Sequence, residues 1–179
     1  MATPPTFTSA VLTSAQMNSI GLWKTASVTM TGQTTLSIAN CFNADYSNYL
    51  FIYNVRTNSG SGSTQIQLAL NGTPNATAGS YIAGGRFVGY PGVGAADFNT
   101  ATTNWGGCFF TTFPNNHNMT ISNPFDAIPT AMTGTYSSNN AAIWSGGYHN
   151  QSVSYNGLYI TNNSGAAMYG TFSVYGMRQ

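Results

Sequence analysis

The stretch AAMYGTFSVYGMR, residues 166–178, reads at a period of two. One face carries Met168, Gly170, Phe172, Val174 and Gly176; the other carries Tyr169, Thr171, Ser173, Tyr175 and Met177. A slip of one residue would exchange a mostly apolar face for a mixed one, so the register is well specified. Such a strand needs neighbours on both edges and a second layer over its apolar face. We therefore expect a central strand of a sheet, covered by a second sheet.

Working outward, the rest of the chain supplies the other strands. Residues 49–56, YLFIYNVR, are nearly continuously hydrophobic, as in a strand covered on both faces. Residues 22–30 and 33–40 alternate polar and apolar side chains around Thr31-Gly32 and predict a hairpin. Residues 58–63 form a Ser/Gly turn, residues 65–70 alternate cleanly, and Asn71-Gly72 is a strong turn signal. Further strands are expected at 108–113, 119–122, 130–136, 142–149 and 154–161. Many short strands separated by Gly, Asn and Pro predict an all-β fold, a jelly-roll-like β-sandwich over residues 22–179.

Residues 1–21 differ. A Pro- and Thr-rich extended segment precedes one short helix over 12–21, which Thr13 or Ser14 can cap and Gly21 can stop. This reads as an N-terminal arm, with Pro4-Pro5 keeping the chain extended and Val11, Leu12, Met17 and Ile20 as its attachment residues.

Composition narrows the partners. The 179 residues are 42% hydrophobic, which suits one domain with a sizeable core. Charged residues make up 4%, against roughly 25% in ordinary domains. They are Lys24, Arg56, Arg86, Arg178, Asp45, Asp97 and Asp126, and glutamate is absent. Ser, Thr, Asn and Gly do the solvating, and a surface with so little repulsion favours association of copies. Four scattered basic residues cannot neutralise a phosphate backbone, so nucleic acid is not an expected partner. No apolar run is long enough to span a bilayer, so membrane insertion is not expected. Residues 1–16 lack a basic region and a sustained apolar core, so no signal peptide is expected. Without one, the Asn-x-Ser/Thr triplets carry little weight, and Cys41 and Cys108 are expected to be reduced and buried.

The residues of catalysis are sparse. Asp45, Asp97 and Asp126 are most simply turn or cap residues rather than a glycosidase pair. His117 and His149 lack metal-ligand spacing, and no Gly-x-Ser-x-Gly elbow or phosphate-binding loop is present. A non-enzymatic protein with no cofactor and no metal is expected.

Two stretches are candidates for ligand binding. Residues 84–107, GGRFVGYPGVGAADFNTATTNWGG, read as a long Gly-rich excursion carrying Arg86, Tyr90, Asp97, Phe98, Asn104 and Trp105. Residues 144–151, WSGGYHNQ, bring Trp144, Tyr148 and His149 around Gly146-Gly147, where a ligand could approach the backbone closely. Aromatic rings with neutral amides and hydroxyls suit a sugar. The competing reading makes Trp105 and Trp144 core residues and the excursion a packing element.

Three stretches carry a family resemblance. Residues 11–18, VLTSAQMN, with Trp23 downstream, residues 39–49, ANCFNADYSNY, and the closing segments YNGL (155–158) and YGTFSVYG (169–176) together resemble small tailed-bacteriophage virion proteins. The resemblance covers both ends of the chain, while residues 72–150 carry none of it. It implies a structural protein: a homo-oligomeric β-sandwich, commonly a trimer, used as a fibre, knob or capsid-decorating subunit. It places that subunit on the virion exterior, assembled in the host cytoplasm, with the arm bound to other virion proteins. A carbohydrate-binding module that recognises a host-surface glycan remains open as an alternative or additional role.

Overall fold

The computed structural model describes residues 21–59, 62–90, 94–110, 112–138 and 141–177, with the backbone alone for 107–110. Val11, Leu12, Met17, Ile20 and the helix expected at 12–21 lie outside the described residues, apart from Gly21. Among the described residues the chain is all-β. In order, the strands are β1 (Leu22–Gln33), β2 (Thr35–Ile38), β3 (Asn48–Thr57), β4 (Gly62–Leu70), β5 (Thr73–Pro74), β6 (Tyr81–Gly89), β7 (Ala95–Thr102), β8 (Trp105–Phe110), β9 (Asn115–Ser122), β10 (Thr130–Ser137), β11 (Ala141–His149), β12 (Gly157–Asn162) and β13 (Met168–Met177).

They form two antiparallel sheets. An eight-stranded sheet runs β1-β13-β3-β9-β10-β11-β6-β7, and a five-stranded one runs β2-β12-β4-β5, with β8 also on β4. The last strand is central, as its sequence requires: β13 pairs β1 on one edge and β3 on the other. Its inward residues Met168, Phe172 and Val174 are fully buried. Its outward Tyr169 and Tyr175 lie under the Arg56 and Lys24 cations, at 5.0 and 5.9 Å from the ring centroids.

The inner faces of the two sheets share one core. Phe51, Tyr53, Phe172 and Met119 come from the larger sheet, and Ile66, Leu68, Leu158 and Ile160 from the smaller. The rings of Phe51 and Phe172 stack at 5.9 Å, and the Tyr53 hydroxyl meets Thr64 Oγ1 of the opposite sheet at 3.2 Å. A core aromatic truncated to Ala typically costs about 3–5 kcal/mol, so this layer carries much of the stability.

The structure departs from the sequence expectations at several places. Residues 22–40 do not make a hairpin, because β1 joins the larger sheet and β2 the smaller. Gly32, at φ 129°, marks a register shift near the end of β1 rather than a two-residue turn. The outward residues of β3 are only half covered at Leu50 and Ile52 and exposed at Asn54 and Arg56, so this strand is not buried on both faces. Residues 84–107 are no excursion: apart from 91–93 and short connections they are β6, β7 and the start of β8. Their glycines and alanines hid an alternation that hydrophobic spacing alone does not reveal. The Asn71-Gly72 turn stands as expected, with φ of 51° and 81°, where β4 folds onto β5.

Candidate functional site

Beyond β9 the larger sheet continues as a four-stranded wing, β10-β11-β6-β7, built from residues 81–102 and 130–149. Each candidate ligand residue in residues 81–149 lies on this wing or beside it, and the strand alternation assigns all but Tyr90 to one of two faces.

The inner face takes Phe98, Trp105 and His149. Trp105 is 1% exposed and sits edge-on to Tyr81 at 5.3 Å. It is a core residue, as the competing reading held, and its buried indole N–H has no acceptor among the described residues. Phe98 lies over Gly85, where an added Cβ would come within 2.7 Å of the ring. His149 is fully buried, with Nδ1 3.2 Å from the Ser80 carbonyl and Nε2 2.7 Å from the Tyr155 hydroxyl. This geometry has Nδ1–H donating to Ser80 and the Tyr155 O–H donating to Nε2. The Tyr155 oxygen in turn accepts the Asn75 side-chain amide at 2.6 Å, and the Asn75 carbonyl accepts the Tyr81 hydroxyl at 2.9 Å. Burial lowers the His149 pKa against the opposing pull of the Ser80 carbonyl. His149 is thus a neutral structural residue. It does not reach the surface that carries Trp144 and Tyr148.

The outer face takes Arg86, Asp97, Trp144 and Tyr148. Trp144 pairs across to Arg86 in register, and Arg86 to Asp97, so the three side chains stand in one row. Arg86 Nη1 lies 3.0 Å from Asp97 Oδ1 with both side chains exposed, an ion pair of little stabilising value that nevertheless neutralises the local charge. Trp144 is 52% exposed and Tyr148 45% exposed. They stand on the same face four residues apart, about 13 Å along the strand. Between them is Gly146, in register with Gly84 on β6 and Thr133 on β10.

The two neighbouring glycines of β11 serve different ends. A Cβ at Gly146 would meet nothing closer than the Met132 carbonyl oxygen at 3.7 Å, so its lack of a side chain is not required by packing. A Cβ at Gly147 would stand 2.2 Å from the Ile82 carbonyl oxygen, so this glycine is needed for the β11–β6 approach. Tyr90 follows β6 and is exposed, apart from the Trp144 row.

Three concavities accompany these residues, the smallest of about 230 Å³ between Trp144, Asn116 and Ser137. On the outer face, Trp144 walls a hollow of about 350 Å³ floored by Leu50, Asn118, Thr120, Thr133 and Thr135. None of those four polar side chains has a hydrogen-bond partner among the described residues. On the inner face, where the smaller sheet stops at β4 and β8, a notch of about 480 Å³ opens between Gln65, Asn104, Phe87, Ala96, Phe98 and Ile143. Trp144 apart, the residues of the outer hollow are not among those the sequence singles out. Their signal was the outward Asn and Thr positions of β9 and β10, which acquire meaning only when the strands are placed side by side.

Acid–base and metal chemistry have few groups to work with here. Among the described residues no three of His, Cys, Asp or Glu come together as a metal site. His117 is fully buried between the Tyr53 and Tyr136 rings, and burial lowers its pKa to about 3. What the outer face offers is stacking and neutral hydrogen bonding. Comparison with known protein families, curated proteins and solved structures returns no match.

Proposed function

We propose that this protein is a non-enzymatic structural subunit of a tailed-phage virion, a homo-oligomeric fibre, knob or capsid-decorating protein displayed on the particle exterior. The observation that carries the reading is the surface. The six charged side chains among the described residues are all exposed, and they are spread so thinly that Arg86–Asp97 is their one ion pair. Leu22, Leu70, Phe113 and Ile128 add exposed apolar area at scattered points. Copies of such a molecule repel each other weakly, which favours a symmetric assembly, most simply a trimer.

The strand order supports a jelly roll for the subunit. With β6, β7, β10 and β11 set aside, and β5 and β8 counted together as the strand beside β4, eight strands remain. One sheet then reads first, last, third, sixth; the other reads second, seventh, fourth, fifth. This is the double Greek-key order of jelly rolls, a fold shared by capsid and lectin domains alike. Fold alone does not assign function, so the resemblance at the two ends of the chain and the weakly charged surface carry the proposal together. Residues 1–20 supply the attachment element through Val11, Leu12, Met17 and Ile20.

Two measurements test this. Sedimentation of the full chain at micromolar concentration is expected to give a discrete oligomer; a monomer there overturns the association. Deleting residues 2–19 should leave a folded sandwich that no longer incorporates into particles. A truncated chain that unfolds would make the arm part of the core instead.

A further inference from the structure

We propose that the outer face of the wing is a binding site for a neutral oligosaccharide, lying across β10 and β11 with one sugar against Trp144 and the chain continuing over Gly146 toward Tyr148. The site rests on its own geometry and does not depend on the virion reading.

Four observations converge on this ligand chemistry. First, two large rings are held out in solvent on one rigid sheet face, although large aromatic side chains are on average highly buried. A pyranose presents an apolar C–H face that stacks on such a ring. Second, the surface between the rings is floored by Gly146 and Gly84, and the space over Gly146 is not required by packing. An open glycine floor lets a ligand lie close to the backbone. Third, the hollow beside Trp144 carries Asn118, Thr120, Thr133 and Thr135, whose side chains are free among the described residues to give and accept hydrogen bonds. Hydroxyls and amides are the partners sugar hydroxyls need, and the hollow's volume of about 350 Å³ falls in the range of small-ligand sites. Fourth, the nearest charges cancel: Arg86 is already paired with Asp97. Among the described residues no uncompensated cation is left beside Trp144 to recruit a carboxylate or sulfate, so the site favours neutral sugars over acidic ones.

The inner notch is a different kind of surface. Its walls join Phe87, Phe98, Ala96 and Ile143 to Gln65, Thr100, Thr102 and Asn104, but both rings are half-buried, and Gln65, Thr102 and Asn104 already make hydrogen bonds within the chain. The outer hollow is therefore the preferred sugar site.

The experiment uses the full chain and a glycan array of neutral hexose, 6-deoxyhexose and N-acetylhexosamine oligosaccharides with their sialylated and sulfated counterparts. Binding to neutral members is expected, with no gain for the acidic counterparts. Trp144→Ala and Tyr148→Ala should each weaken it about tenfold or more, as expected for loss of a stacked ring. Trp144→Phe should retain part of the affinity, and Gly146→Leu should block the floor while both rings remain. Thermal melts of each variant verify folding, and the exposed positions of Trp144 and Tyr148 make these substitutions structurally mild. The proposal is overturned if no neutral member binds, if acidic members bind best, or if binding survives both ring deletions. Oligomerisation and particle incorporation are read separately, so failure here leaves the structural role standing.

Discussion

The Tyr49 hydroxyl closes on both backbone groups of a single residue, Asn43, accepting its N–H at 2.8 Å and donating to its carbonyl at 2.7 Å. The Tyr49 ring is fully buried and packs edge-on to Phe42 at 4.7 Å and to Tyr46 at 5.9 Å. The Tyr46 ring in turn lies where a Cβ on Gly176 would fall, 2.4 Å away. The FNADYSNY segment is thus a clamp that ties the β2–β3 connection to the end of β13. Burial pushes the Tyr49 pKa up to about 12, so its hydroxyl stays a donor at all ordinary pH.

Removing that one oxygen should therefore be costly. Tyr49→Phe leaves the Asn43 N–H and C=O without their partner while the ring stays in place. A loss of about 1–3 kcal/mol is expected from urea denaturation, with an unchanged m-value.

Adjacent glycines on β11 should respond in opposite ways. Gly146→Ala adds a methyl group at ordinary van der Waals distance from its neighbours and is expected to change stability by no more than about 0.5 kcal/mol, like an ordinary surface substitution. Gly147→Ala drives a methyl group into the Ile82 carbonyl and should cost about 1–3 kcal/mol or more through a displaced β6. Comparing their denaturation midpoints checks the assignment of these residues to opposite faces.

Acid should destabilise the fold through its histidines. His117 has a folded pKa of about 3 against 6.5 when unfolded, and His149 is shifted in the same direction. Between those values the unfolded chain binds the proton and the folded one does not. Stability is thus fully present above pH 6.5 and falls as the pH drops below it, until the folded His117 itself titrates. The slope for His117 is about 1.4 kcal/mol per pH unit. Urea midpoints at pH 7 and pH 5 measure it, and His117→Asn should flatten the dependence while lowering stability at pH 7.

Cys41 should be inert in the native protein. It is fully buried, and desolvation pushes its thiol up to about 12, so almost no thiolate exists at neutral pH. Iodoacetamide should label Cys41 only in denaturant, with peptide mass spectrometry separating it from Cys108. Rapid native labelling of Cys41 would mean that the β2–β3 connection opens far more readily than its packing implies.

The legible part of the fold was the part with strong alternation. Residues 168–177 revealed strand, faces and central position together, because Met168, Phe172 and Val174 face one way and Tyr169 and Tyr175 the other. The wing was hidden for the opposite reason. In β7, Ala95 to Thr102 is exposed at almost every position, so no hydrophobic period marks it as a strand, and its pairing with β6 comes from backbone hydrogen bonds. The candidate site was legible as a set of residue types but not as a place. Trp144, Tyr148 and His149 are close in sequence, yet alternation sends His149 to the core and leaves the two rings outside. Arg86 and Asp97 join Trp144 only through the register of three strands, which no local stretch encodes.

The central position of β13 has a consequence for how the molecule comes into being. Thr25 donates through its hydroxyl to the Val174 carbonyl, 149 residues away, and among the described residues β1 has no other partner in its sheet. During synthesis β1 must wait, unpaired, until β13 leaves the ribosome, and β3 waits with one edge open. Such non-local closure makes folding slow and leaves strand edges exposed to other nascent chains. The scarcity of charge, 4% of the chain, gives these waiting edges little protection. A ribosome stalled before residue 168 should therefore hold a chain that proteases cut readily, and release of β13 should convert it in one step to a resistant form.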